Sequence, residues 1–140
     1  MYEKSIELLN RAVGDELAAV HQYMYFHFHL DDQGYDVLSA LFRRTAVQEM
    51  RHVERLAARI LSLKGEVVLK ASCDVTQVHD VAAALEMGRK MEEGSIRDYS
   101  LWANECAAAA DAASKKIFKK LVTEEGVHHE QFSSELAKVH

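Results

Sequence analysis

One spacing in this chain restricts its fold more than any other feature. Glu16 and Glu49 lie 33 residues apart (49 − 16), and so do Glu92 and Glu125 (125 − 92). An offset of 76 carries Glu16 onto Glu92, Tyr23 onto Tyr99, Glu49 onto Glu125 and His52 onto His128. Agreement in both residue type and spacing implies two structurally equivalent halves. In each half the second glutamate is followed by a histidine three positions on. That separation puts both side chains on one face of a helix, whereas on a strand they would point to opposite faces.

The apolar periodicity supplies the helices. It runs over roughly 3–30, 35–63, 80–108 and 112–139, broken by DDQG, by the longer KGEVVLKASCDVTQVH and by a short alanine-rich turn. The chain has no proline and only 6 glycines, so the helices have few internal breakers. The expected fold is all-α: a four-helix bundle, one domain over residues 1–140, with one long crossover between the second and third helices. Each helix can be threaded on one inward stripe. The stripes read Leu9, Val13, Glu16, Val20, Tyr23; Phe42, Thr45, Glu49, His52, Leu56; Leu85, Gly88, Glu92, Ser95, Tyr99; and Phe118, Leu121, Glu125, His128, Phe132. All four are interrupted by glutamate.

Ionised carboxylates cannot sit alone in an apolar interior, because losing water costs each several kcal/mol; they must be paired, protonated or bound to a cation. Four carboxylates and two imidazoles facing one bundle interior form the donor set of a di-iron or di-manganese centre. Oxygen and nitrogen donors without thiolate favour iron or manganese, with zinc a poorer fit. Glu16, Glu49 and His52 are assigned to one metal, Glu92, Glu125 and His128 to the other, with Glu49 and Glu125 bridging. Tyr23 and Tyr99 follow the lone glutamates by two helical turns and are expected to hydrogen-bond ligating carboxylates. Glu54, Glu86, Glu93, Glu105, Glu124 and Glu130 fall off the stripes, so the inward positions of the other four are not a product of how the stripes are drawn. His27 and His29 close the first helix, His79 precedes the third, and His129 and His140 are expected to be exposed.

The formal net charge of −5, without a basic tail, argues against a nucleic-acid partner. Cys73 and Cys106 form neither a CxxC pair nor a disulfide framework, which favours a reducing compartment. No apolar run approaches membrane-spanning length and MYEKSIELLN has no signal-peptide core, so a soluble cytoplasmic protein without membrane partners is expected.

In GDELAAVHQY (14–23), QEMRHVERLAARILSLKG (48–65), Asp80-Val81 with Glu92 twelve residues on (92 − 80), and TEEGVHHEQF (123–132), the chain resembles the bacterioferritins of the ferritin-like superfamily. All six ligand positions match that family's pattern. The resemblance implies a ferroxidase centre with two iron ions per subunit that oxidises Fe(II) with dioxygen or hydrogen peroxide, the ferric product being stored as mineral in a hollow shell. It also implies that Met50 is an axial ligand of haem b across a two-fold interface. The residues point the same way: Met50 is about 100° around the helix from Glu49. It shares a second stripe with Val47, opposite Leu17, His21, Met24 and Phe28 of the first helix, so a partner copy is expected there.

Two departures stand out. The chain ends at His140, after the fourth helix, whereas bacterioferritins continue into a fifth that lines channels of a 24-subunit cage. The expected assembly is therefore at least a homodimer, with a 12- or 24-subunit shell open. Arg44 and Gln48 replace a histidine and an aspartate that bind iron on the inner shell surface in some members. The alternatives are a rubrerythrin-like peroxidase, a manganese catalase, or a non-storing haem-bridged di-iron dimer. The two distant cysteines cannot build the rubredoxin-like site that rubrerythrins usually carry.

Overall fold

The computed structural model describes residues 1–139; the expectation for His140 lies outside them. Four helices follow in order, α1 (Glu3–Asp32), α2 (Asp36–Ser62), α3 (Val81–Ala108) and α4 (Ala112–Lys138). No strand occurs among the described residues. The boundaries follow the periodicity except at the end of α1, which continues through Asp31 and Asp32. There the amide of Gln33 still bonds to the His29 carbonyl, and Gly34, at φ +88, makes the turn that an L side chain rarely adopts.

Side-chain caps start the second pair of helices. The Asp80 carboxylate accepts from the Ala83 amide at 2.9 Å, and Asp111 accepts from Ser114 at 3.1 Å. Asp111 is also gripped by Arg59 at 2.7 Å, which ties the end of α2 to the start of α4. The crossover, residues 63–80, is held along α1 by amide side chains. Asn10 bonds to the backbone at Glu66 and Val68, and Gln22 bonds to both the amide and the carbonyl of Thr76. Between them the Ser72 amide reaches the Gly14 carbonyl, where a Cβ on Gly14 would stand 3.1 Å from Lys70 O.

The helices associate mainly as α1 with α2 and α3 with α4, the two halves that the 76-residue offset relates. The apolar interior divides into two clusters. One gathers Leu9, Val13, Leu56, Trp102, Phe118 and Leu121 with their neighbours; the other gathers Phe26, Phe42, Leu85 and Phe132 around Tyr23. In the second cluster Phe42 stacks on Phe132 with ring centroids 5.0 Å apart, and Tyr23 meets Phe132 edge-on at 5.4 Å. Gly88 admits the Phe132 ring: an added Cβ would lie 3.1 Å from it. Between the clusters lies a layer of polar side chains. Among the described residues no helix is long and apolar enough to cross a membrane.

Candidate metal centre

The polar layer consists of the six residues singled out by the repeat. α1 supplies Glu16, α2 Glu49 and His52, α3 Glu92, and α4 Glu125 and His128; all are buried, none more than 3% exposed. Their donor atoms form two overlapping sets, Glu16–Glu49–His52–Glu125 and Glu49–Glu92–Glu125–His128, each with its atoms within 4.8 Å of one another. Glu49 and Glu125 belong to both. His52 Nδ1 lies 3.3 Å from Glu49 Oε1 and 3.4 Å from Glu125 Oε1, with the closest approach to Glu16. His128 Nδ1 lies 3.1 Å from Glu125, 3.2 Å from Glu49 and 3.4 Å from Glu92. Both imidazoles therefore turn Nδ1 to the centre, their centroids 6.1 Å apart.

The electrostatics follow from burial. Loss of water, reinforced by Glu92, pushes the Glu16 carboxyl up to about 8; burial, reinforced by Glu125, does the same to Glu92. Glu49 goes well above its ordinary range through burial and the three carboxylates around it. Burial lowers the His52 imidazolium. It works on His128 in the same sense, but the negative charge of Glu125 and Glu92 close to its ring outweighs it and carries that group up to about 10. Without a cation the cluster must hold protons that the carboxyls would otherwise release. Oxygens of Glu16, Glu49, Glu92 and Glu125, together with His128 Nδ1, have no hydrogen-bond partner. Buried polar atoms left this way are costly. Hard, oxygen-rich donors converging on two points suit two divalent ions, so the residues present fit a di-metal group.

The tyrosines cross between the halves. Tyr23 donates to Glu92 Oε1 at 3.0 Å, while Tyr99 is fully buried beside Glu16, its hydroxyl closing no bond of good geometry. Two further neighbours lie beyond what stripe positions single out. Gln48 Oε1 accepts from His128 Nε2 at 2.6 Å. Glu124, off the inward stripe of its helix, stands 3.5 Å from His52 Nε2 and is held by Arg55 in a two-pronged pair at 2.7 and 2.8 Å. The 76-residue offset relates the two positions (48 + 76), but Gln and Glu differ in type, so the repeat does not mark them in the sequence.

The remaining histidines stay outside the centre. His27 Nδ1 bonds to Ser39 Oγ at 2.8 Å, and His29 stacks on His79 with centroids 4.2 Å apart. His129 corrects its expectation: it is half-buried, with Nε2 3.6 Å from Glu93, because α4 turns this face toward α3. Cys73 is exposed and Cys106 buried, both free. Met50 and Val47 lie on the surface with Phe28, away from the donor cluster.

Two clefts reach the centre. One, bordered by Asp15, Ser72, Cys73 and Asp98, ends at Glu49; the other, bordered by Arg51, Arg55 and Glu124, ends at Gln48 and His128.

Comparison with known proteins gives a consistent picture. Residues 6–140 match the Ferritin-like domain family. Bacterioferritin of Desulfovibrio desulfuricans is 36% identical over 125 residues, covering 89% of this chain and 70% of that protein. Bacterioferritin of Rhodobacter capsulatus is 34% identical over 140 residues, covering 89% and 78%. The crystal structure of the D. desulfuricans protein, which describes its diiron site in different catalytic states, superposes with a TM-score of 0.95 at 33% identity, covering 97% of this chain and 80% of that one.

Proposed function

The chain belongs to the bacterioferritins, within the ferritin-like domain family, and from that membership we propose that it oxidises Fe(II) to Fe(III) at a di-iron centre held by Glu16, Glu49, His52, Glu92, Glu125 and His128. The observation that carries the ligand assignment is that the two four-residue donor sets overlap in Glu49 and Glu125. Shared donors are what two adjacent ions need if each is to keep three or more protein ligands.

Bound as a pair, the ions would each supply one electron to an oxidant, for which we take dioxygen or hydrogen peroxide. The chain's own part is positioning and charge. Four carboxylates and two imidazoles offer donors preset on four helices, and the flanking apolar clusters limit water at the centre. Carboxyls that hold protons when no cation is present release them as a cation takes their place. The cleft at Asp15 and Asp98 leads from solvent to Glu49 and gives Fe(II) a negatively charged approach.

Storage of ferric product requires self-association, and we assign the face bearing Met50, Val47 and Phe28 to a second copy of the chain with haem b between two Met50 side chains. The exposure of Met50 (43%) and Phe28 (60%) on adjacent helices supports this. A 12- or 24-subunit shell would provide the cavity. The two free cysteines support a reducing, cytoplasmic setting.

Metal-free protein is mixed anaerobically with Fe(II), oxidant is added, and ferric absorbance is followed while light scattering gives the assembly mass. Turnover beyond two irons per chain in a large assembly is expected. Oxidation that stops at two irons per chain would remove the storage role, and undiminished oxidation by Glu49→Ala would remove the centre.

A further inference from the structure

The repeat that builds the centre also builds its surroundings, and there the two halves differ. Each bridging glutamate is preceded by a residue that reaches the histidine of the opposite half: Gln48 reaches His128, and Glu124 reaches toward His52. The first contact is closed, at 2.6 Å. The second is open: Glu124 Oε1 stands 3.5 Å from His52 Nε2, which has no hydrogen-bond partner, and both Glu124 oxygens are taken by Arg55. The offset that carries Gln48 onto Glu124 carries Arg55 onto Gln131 (55 + 76), so the positions assigned to His52 are a carboxylate and a guanidinium, Glu124 and Arg55, where those equivalent to them for His128 are two amides, Gln48 and Gln131.

We infer that Gln48 and Glu124 are paired positioning residues for the two histidines, and that their difference makes the half containing Glu92 and His128 the first to take a metal ion. This rests on the ligand set proposed above. An imidazole that gives Nδ1 to a metal keeps its proton on Nε2, and a partner for that proton fixes the ring and raises its basicity. His128 has that partner already in place. His52 acquires one only when Glu124 turns part-way from Arg55, so binding at its half carries the cost of rearranging an existing ion pair. Once made, the bond from His52 goes to a carboxylate rather than an amide and is the stronger of the two. The centre is thus unequal by construction: one half is preset, the other is rearranged on loading.

The test is an anaerobic titration of the metal-free protein with Co(II), read by visible absorption and calorimetry, so that no turnover is involved. Wild type is expected to take two ions in two resolved steps. Gln48→Leu is expected to weaken the first step by about 10- to 100-fold, and Gln48→Glu, which keeps an acceptor, to restore it. Glu124→Leu is expected to weaken the second step and leave the first unchanged. Circular dichroism checks that each variant is folded, and a purely structural role for Gln48 would not separate Leu from Glu at equal fold content. Two ions binding with one indistinguishable affinity, or a first step unmoved by Gln48→Leu, overturns the inference while leaving the ligand set intact. Failure of wild type to bind Co(II), or binding by Glu49→Ala equal to wild type, overturns the ligand set and this inference with it.

Discussion

Tyr23 on α1 donates its hydroxyl hydrogen to Glu92 Oε1 on α3 across 3.0 Å, so the tyrosine of one half supports the glutamate of the other. The ring is fixed by Phe42 and Phe132, at centroid distances of 5.7 and 5.4 Å. Tyr23→Phe keeps that packing and removes only the donor. Metal affinity is expected to fall by about 10- to 100-fold. Tyr99→Phe is expected to cost less, because the Tyr99 hydroxyl closes no bond. Parallel Co(II) titrations of the two variants check this, and equal losses would show that the bond to Glu92 has no special part.

The stability of the metal-free protein is expected to fall as pH rises. Burial first, and then neighbouring carboxylates, lift Glu16 and Glu92 from an ordinary 4.5 to about 8 and Glu49 above its ordinary range. Between the unfolded and folded values the native state holds more protons than the unfolded chain. The advantage is complete below about 4.5 and is lost as pH climbs through about 8, with a slope of up to about 1.4 kcal/mol per pH unit for each whole proton of difference. His128, raised to about 10, acts in the same sense, whereas His52, lowered by burial, gains stability with rising pH below its ordinary 6.5. The carboxyls outnumber it. Urea denaturation from pH 5 to 9 is expected to show the decline without metal and a much smaller one with Co(II) bound; a flat metal-free profile would contradict it.

The sequence made the helices and the six buried donors legible for one physical reason. A polar residue on an apolar stripe is an exception that must be accounted for, and a repeated exception is accounted for by one common cause. Glu16, Glu49, His52, Glu92, Glu125 and His128 all had that signature. Gln48 and Glu124 did not, since a polar residue off the stripe is indistinguishable from a solvated one until the opposite helix is in place. Similarly, the end of α1 could not be read from DDQG: Asp31 and Asp32 favour turns, but the helix was carried on until Gly34 supplied a positive φ. His129 was misplaced because its exposure depends on how closely α4 turns toward Glu93 on α3, a tertiary distance with no local sequence mark.

Glu49 stands in both donor sets, and one of its oxygens has no partner in the metal-free arrangement. Glu49→Gln keeps the volume and removes the charge. Both metal steps and iron oxidation are expected to fall, oxidation by more than the about 10- to 100-fold that loss of a supporting residue costs. Metal-free stability is expected to move the other way, rising relative to wild type at pH 8 and much less at pH 5, because at the higher pH the unfolded wild type has fully released a Glu49 proton that burial makes the folded state keep. Initial ferric absorbance rates and urea midpoints at the two pH values measure both. A variant less stable than wild type at pH 8 would show that the site is not destabilising when empty.

Met50 and Val47 on α2 are 43% and 38% exposed in one chain, and Phe28 on the adjoining α1 is 60% exposed. If a second copy covers it with haem b held between two methionine sulfurs, reconstitution should give one haem per pair of chains, with the absorption bands of thioether ligation. Met50→Leu conserves volume and apolar character, so the dimer mass should persist while those bands are lost. Light scattering and the visible spectrum on one sample separate the two roles. A variant that binds haem with an unchanged spectrum would exclude Met50 as a ligand, and one that falls apart into monomers would make Met50 a packing residue of the interface instead.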